Sequence, residues 1–424
     1  MTQWIAPTAA GPVTGAVRLP GSKSMTARAL VLSALADGLS EIRRPLRARD
    51  TTLMAAALRA LGGHVGTSAD DRWTVAPARL RGPAAVDVGL AGTVMRFGPP
   101  VAALAEGTVT FDGDPAARTR PLRPIVEALR GLGVDIDASP AGGLPLTVHG
   151  TGLVEGGGAV IDASGSSQFV SGLLLSAPRF TKGLVLRHDG PPVPSTPHLL
   201  MTTHMLRAAG AAVDESVPDV WTVEPGRLRG RTWEVEPDLS GAVPFFAAAM
   251  VTGGAVTLAG WPSDSWQPVD RLTELLTGLG GDVTRTEAGL TVRGTGSVHG
   301  ITADLSAVSE LTPVIAALAA LADGPSELRG IAHIRGHETD RIAALARELG
   351  RLGAGVVEHA DGLTIHPRPL RPARFETYAD HRMAHAAAVL GLAVEGVLLS
   401  DVACTSKTLP EFPQLWADLV TPRS

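Results

Sequence analysis

The chain has 424 residues, 45% of them hydrophobic and 19% charged, with a net charge of −5 and a single cysteine, Cys404; this is the balance of a globular protein large enough for two or three domains, and it offers no general attraction for nucleic acid or an acidic membrane. One cysteine excludes an internal disulfide and a thiolate metal cage, and an N-terminus without a basic-then-apolar pattern makes a cytoplasmic location the expectation. The longest apolar runs, such as Val314–Ala322, fall well short of the roughly 20 residues of a membrane-spanning helix.

In chain order, the first stretch with chemical character is GSKSMTARAL, Gly21 to Leu30. Ala27, Leu30, Val31 and Ala34 follow at helical spacing, so a helix is expected to open at GSKS, where free backbone N–H groups, hydroxyls and Lys23 would attract phosphate or carboxylate. The spaced glycines of a nucleotide-binding P-loop are missing. Two further small-residue turns lead into apolar-periodic segments, GLAGTVMR (Gly89 to Arg96) and SGSSQFVSGLL (Ser164 to Leu174), and Arg120 lies in AARTRPLRPI. The second half of the chain adds HIRGHETDRI (His333 to Ile342), YADHRMAH (Tyr378 to His385) and CTSKTLPEF (Cys404 to Phe412), each mixing charge with a helix start. His381 and His385 have i,i+4 spacing without the glutamate of a zinc-protease helix, so no metal is expected, and Cys404 reads as a packing residue.

A repeat organises the whole. A helical apolar stripe, a glycine stop, a valine or isoleucine strand and a second strand of LTV type occur five times, with stops at Gly62, Gly133, Gly210, Gly280 and Gly353 and second strands WTVAP, LTVHG, WTVEP, LTVRG and LTIHP. Near Asp270, Leu272, Leu275, Leu276 and Leu279 form one helical face, and glycine after such a stripe is the expected C-terminal stop. Five units leave room for a sixth, irregular one built from the tail and the first 20 or so residues. Six units divide into two lobes of three, residues 21–234 and residues 1–20 with 235–424, an α/β (α+β) architecture with two chain crossings.

LPGSKSMTARAL, AGTVMR, SSQF, HETDR, DHRMA and CTSKT together resemble, in order and approximate spacing, the motifs of the 5-enolpyruvylshikimate-3-phosphate synthase family. That resemblance covers essentially the whole chain. It implies the enolpyruvyl-transferase fold, two lobes each of three βαβαββ-type units around buried parallel helices, with the active site between the lobes, closing over substrate. It also implies the activity: transfer of the enolpyruvyl group of phosphoenolpyruvate to the 5-hydroxyl of shikimate 3-phosphate, with release of phosphate, no cofactor, a monomeric state and sensitivity to glyphosate beside Gly92.

The implied shikimate 3-phosphate ligands are Lys23, Ser24, Arg28, Ser166, Ser167, Gln168, Ser195, Glu310 and His337. Those for phosphoenolpyruvate are Lys23, Gly92, Arg96, Arg120, Gln168, Arg341, Arg382 and Lys407. Lys23, Glu310 and Glu338 are the implied proton-transfer groups, with Glu310 as base at the 5-hydroxyl. The seven cations among these roughly match the about five or six negative charges of the two substrates. The chain departs from the commonest family pattern at Glu310 (aspartate frequent), His337 (lysine), His333 (asparagine), His198 (tyrosine), Leu90 (asparagine) and Phe97 (proline). With imidazole titrating near 6.5, a His337 that must be cationic would weaken phosphoenolpyruvate binding above neutral pH. Two other readings remain: a UDP-N-acetylglucosamine enolpyruvyl transferase, whose reactive loop cysteine has no counterpart in GDPAARTRP although Asp114 keeps a variant of it open, and a non-catalytic repeat scaffold.

Overall fold

The computed structural model describes residues 3–421. They separate into two compact units, Gly21–Val235 and a second formed by the residues up to Pro20 with those from Glu236 on.

In Gly21–Val235 the helices are α1 (Lys23–Ala34), α2 (Arg49–Ala60), α3 (Gly92–Ala103), α4 (Arg123–Gly131), α5 (Ser167–Ser176) and α6 (Pro197–Ala208). They alternate in character. All twelve residues of α3 are buried, and α1 and α5 are buried over nearly their whole length, whereas α2 and α4 bury only one face. A helix that buries its whole circumference must bury its polar residues too, and Thr26, Arg28 and Ser33 of α1 are each at most 1% exposed.

Each four-stranded sheet follows one recipe. In the second unit of the repeat, Ala84–Asp87 pairs parallel with Glu106–Asp112, which pairs antiparallel with Leu146–Thr151, which pairs antiparallel with Asp135–Ala138. The same pattern orders the sheets holding WTVAP, WTVEP, LTVRG and LTIHP. The five repeat glycines have φ of 90°, 85°, 95°, 95° and 110°, the left-handed conformation that ends a helix without a Cβ clash.

The second unit holds α7 (Leu239–Thr252), α8 (Val269–Gly278), α9 (Thr312–Ala320), α10 (Arg341–Leu352), α11 (His381–Gly391) and α12 (Phe412–Val420). Here α9 and α11 are buried throughout and α7 over most of its length, while α8 and α10 present the amphipathic faces. The sixth unit of the repeat differs from expectation in one respect. The first 20 residues are shared between two sheets: Trp4–Ile5 joins Leu398–Leu399 and Arg374–Phe375, but Thr14–Val17 pairs parallel with Ala255–Ala259 of the fourth unit. Thr232–Glu234 likewise completes the first unit's sheet against Ser40–Arg43, so each chain crossing leaves behind the parallel edge strand that its lobe's first sheet needs. Among the described residues no helix is long and apolar enough to cross a membrane.

Candidate active site

In the first unit the buried helices α1, α3 and α5 open with the three motifs singled out in the sequence. Ser22 caps α1, and Lys23, the first helical residue, donates from Nζ to Asp50 Oδ2 at 3.3 Å. Asp50, in the first turn of α2, is 2% exposed. Lys23 is thus held by a carboxylate 27 positions away that the motif does not contain. Arg28, one turn on, is 1% exposed and donates to Thr202 Oγ1 (2.8 Å), Ser24 O (3.1 Å), Ser171 Oγ (3.1 Å) and His198 O (3.0 Å). Burial pushes its guanidinium down to about 9, still cationic at neutral pH.

Gly92 is the first residue of α3, and the space beside its Cα is enclosed by cations. A Cβ there would lie 2.6 Å from Arg96 Nη1, 3.2 Å from Arg120 Nη2 and 3.2 Å from Gln168 Oε1. Arg96 is 2% exposed and donates to Pro121 O, while Arg120 donates to Leu90 O. Among the described residues Arg120 Nε and Gln168 Oε1 are buried without a hydrogen-bond partner, which leaves both able to meet a ligand. Ser166 caps α5 by accepting from Gln168 N, next to the buried Ser167. Ser195 has φ of 53° and its carbonyl accepts from His198 N, one step from the Arg28 contact; a non-glycine residue in the left-handed region marks a conformation its surroundings enforce. The structure therefore gathers Ser24, Arg28, Ser195, Gly92, Arg96, Arg120 and Gln168 about the starts of α1, α3, α5 and α6.

The second unit carries the other cluster. Arg341, the first residue of α10, is 3% exposed and forms a two-pronged contact with Asp380, from Nε at 2.7 Å and Nη2 at 3.1 Å. Nη2 also donates to Glu338 Oε2 at 2.9 Å, and Nη1 to His337 Nδ1 at 3.0 Å. Burial works against this cation, but Asp380 and Glu338 outweigh it and hold the guanidinium above its ordinary range. Asp380 also caps α11 by accepting from Arg382 N at 2.9 Å. Glu338 takes Arg341 on one oxygen and the Lys407 ammonium on the other.

Among the described residues Arg382 has no such carboxylate clamp. It donates to Ser240 O (2.9 Å) and Ser240 Oγ (2.6 Å), and that hydroxyl donates onward to Asp238 Oδ1, the cap of α7; burial lowers the Arg382 guanidinium, with Asp238 pulling the other way. Glu310 lies on the short helical segment Ser306–Leu311 within electrostatic reach of His333, Arg341 and Arg382. His333 Nε2 bonds Ser309 Oγ at 2.8 Å, and burial pushes the ring down to about 4, so it is neutral at working pH. Arg341, Arg382, Glu338, Lys407, His337 and Glu310 are therefore one network.

Two residues with reactive potential fall elsewhere. His385 packs 4.5 Å from the Phe412 ring in the core, its charged form disfavoured by burial and by Arg382 and Arg341. Cys404 donates to Asp401 O, and burial raises its thiol to about 12. Among the described residues no group of three or more His, Cys, Asp and Glu is placed to hold a metal ion. Sequence reasoning missed Asp50, Asp380, Ser240 and Thr202, the partners that orient the cations; only Asp380 carried a signal, as a capping residue before the apolar run of α11.

A family model described as EPSP synthase (3-phosphoshikimate 1-carboxyvinyltransferase) matches residues 7–416. A 3-phosphoshikimate 1-carboxyvinyltransferase of Mycobacterium ulcerans (strain Agy99) is 53% identical over 423 residues, 98% of this chain and 97% of its own length. Among solved structures, EPSP synthase from Acinetobacter baumannii is similar at a TM-score of 0.82 and 24% identity, covering 99% of this chain and 98% of that one. The enolpyruvyl transferase NikO from Streptomyces tendae is similar at 0.77 and 18%, covering 98% and 97%. These two likenesses show the fold, while the match to the family over nearly the full length and the 53% identical relative show more: the chain belongs to the EPSP synthase (3-phosphoshikimate 1-carboxyvinyltransferase) family.

Proposed function

We propose that the two clusters share one reaction, the first unit supplying most contacts to shikimate 3-phosphate and both units supplying cations to phosphoenolpyruvate. The chain transfers the enolpyruvyl group of phosphoenolpyruvate to shikimate 3-phosphate in the shikimate pathway. The observation that carries the division of labour is the placing of buried cations in the first two turns of helices, Arg28 in α1, Arg96 in α3, Arg341 in α10 and Arg382 in α11, with Lys407 at the end of the short segment Ala403–Lys407 and held by Glu338. Desolvated cations there favour bound polyanions.

The chemistry needs a proton taken from the 5-hydroxyl and one delivered to the methylene carbon, and then both transfers reversed as phosphate leaves the tetrahedral intermediate, the carbon giving up a proton and the leaving phosphate taking one. Glu310 is assigned as the base, and Lys23 and Glu338 as the groups that move the other proton. Glu338 is instructive. Both its oxygens are engaged, by Arg341 and by Lys407, and two cations so close oppose its protonation. Phosphoenolpyruvate, by drawing those cations to its own phosphate and carboxylate, would release Glu338 for proton transfer at the moment the substrate is in place. Incubating the protein with phosphoenolpyruvate and either shikimate 3-phosphate or UDP-N-acetylglucosamine tests the assignment: phosphate is released with the first acceptor only, and release with the second instead would overturn it.

Two variants test the local assignments. Gly92→Ala places a methyl group 2.6 Å from Arg96 Nη1; the arginine must shift by tenths of an ångström, and the Michaelis constant for phosphoenolpyruvate is expected to rise about tenfold or more. An unchanged constant would remove Gly92 from that site. For His337, the Nδ1 that accepts from Arg341 cannot also carry a proton, so the cationic ring considered from the sequence would cost that bond. His337→Gln preserves an acceptor, and it is expected to leave the pH dependence of phosphoenolpyruvate affinity between pH 6 and 8.5 as in the parent enzyme. A profile flattened by the substitution would show that the ring works as a cation.

A further inference from the structure

Phe97 stands where the family commonly has proline, on α3 directly after Arg96, and it is 0% exposed. Its ring faces Arg28: the guanidinium carbon lies 5.3 Å from the ring centroid. A guanidinium has five N–H groups. Four of those on Arg28 go to neutral oxygens, on Thr202, Ser24, Ser171 and His198, leaving one Nη1 hydrogen for a ligand. No carboxylate is among its partners in the described residues, so the four hydrogen bonds and the electron-rich face of Phe97 together offset the cost of burying this charge. The arrangement recurs one helix further on, where the Arg96 guanidinium lies 5.6 Å from the Phe169 ring of α5.

A carboxylate in the same place would stabilise Arg28 more strongly, but it would neutralise the charge and compete with an incoming anion. An aromatic face does neither. Resting on the assignment of Arg28 to shikimate 3-phosphate, we propose that Phe97 is a positioning residue for that substrate, holding the Arg28 guanidinium cationic and in place without cancelling its charge. Burial already disfavours the charged form of Arg28, and loss of the ring would remove one of the contacts that offset this.

The test is steady-state kinetics of the whole enzyme and of Phe97→Leu at neutral pH, with thermal melting in parallel. The substitution is expected to raise the Michaelis constant for shikimate 3-phosphate about tenfold, roughly 1.4 kcal/mol, with kcat and the constant for phosphoenolpyruvate within about twofold of the parent, as for a loss of uniform binding. That split is the readout, because a mere packing defect would move the melting temperature without changing the constant for one substrate selectively. A parental constant for shikimate 3-phosphate would overturn the proposal, leaving Phe97 a packing residue even if the melting temperature drops. Should Phe97→Leu not fold, Phe97→Met carries the same two expectations. Arg28→Lys is the control: if it too leaves shikimate 3-phosphate binding unchanged, the assignment of Arg28 has failed and not the role of the ring.

Discussion

Asp380→Ala is expected to lower the stability of the protein by about 3–5 kcal/mol and kcat/KM for phosphoenolpyruvate about 100-fold. Asp380 is fully buried, and its carboxylate fixes both prongs of Arg341 while capping α11 through Arg382 N. Its removal strands a guanidinium that is 3% exposed and leaves Glu338 as the remaining carboxylate bonded to it. Losing the helix cap adds about 1 kcal/mol. Asn at the same position separates the two effects: it still caps, so it should recover the cap's share of stability, but it cannot balance the Arg341 charge and should recover little activity. Denaturant unfolding and steady-state kinetics on both variants measure this. Equal activity in Asp380→Asn and the parent would show that Arg341 needs only the geometry of its partner and not its charge.

Lys23→Ala is expected to reduce kcat by about a factor of 1,000, within the range of a lost proton-transfer group. Lys23 starts α1 and is drawn toward the first turn of α2 by Asp50. Lys23→Arg is the informative companion. It keeps the positive charge, so substrate binding should be partly retained, but an arginine keeps its proton throughout the working pH range, and kcat should stay low. If Lys23→Arg turns over at the parental rate, Lys23 serves only as a charge and the proton must come from elsewhere in the cluster.

Much of the architecture was legible in the chain because its signals are local. The stripe, the glycine and the LTV strand of each unit lie within a few residues of one another, and a glycine that must adopt positive φ cannot be disguised. The helix starts carrying Lys23, Gly92, Gln168, Arg341 and Arg382 were legible for the same reason. What holds those side chains was not. Asp50 lies 27 positions from Lys23, Asp380 39 from Arg341, Ser240 142 from Arg382 and Thr202 174 from Arg28, and nothing local announces such pairings. The splitting of the first 20 residues between two sheets was missed for a related reason: Thr14–Val17 and Trp4–Ile5 are too short for periodicity to tell which edge each will join.

The central claim is that cations from both units serve one pair of small phosphorylated acids. The measurement that tests it most directly is shikimate 3-phosphate-dependent release of phosphate from phosphoenolpyruvate by the parent enzyme, by Lys23→Ala from the first unit and by Lys407→Ala from the second. Acceptor-dependent release that falls about 100-fold or more in each variant, with both still folded, is the predicted result. Parental turnover in either variant would contradict it, because the cationic cluster of that unit would then stand apart from the reaction.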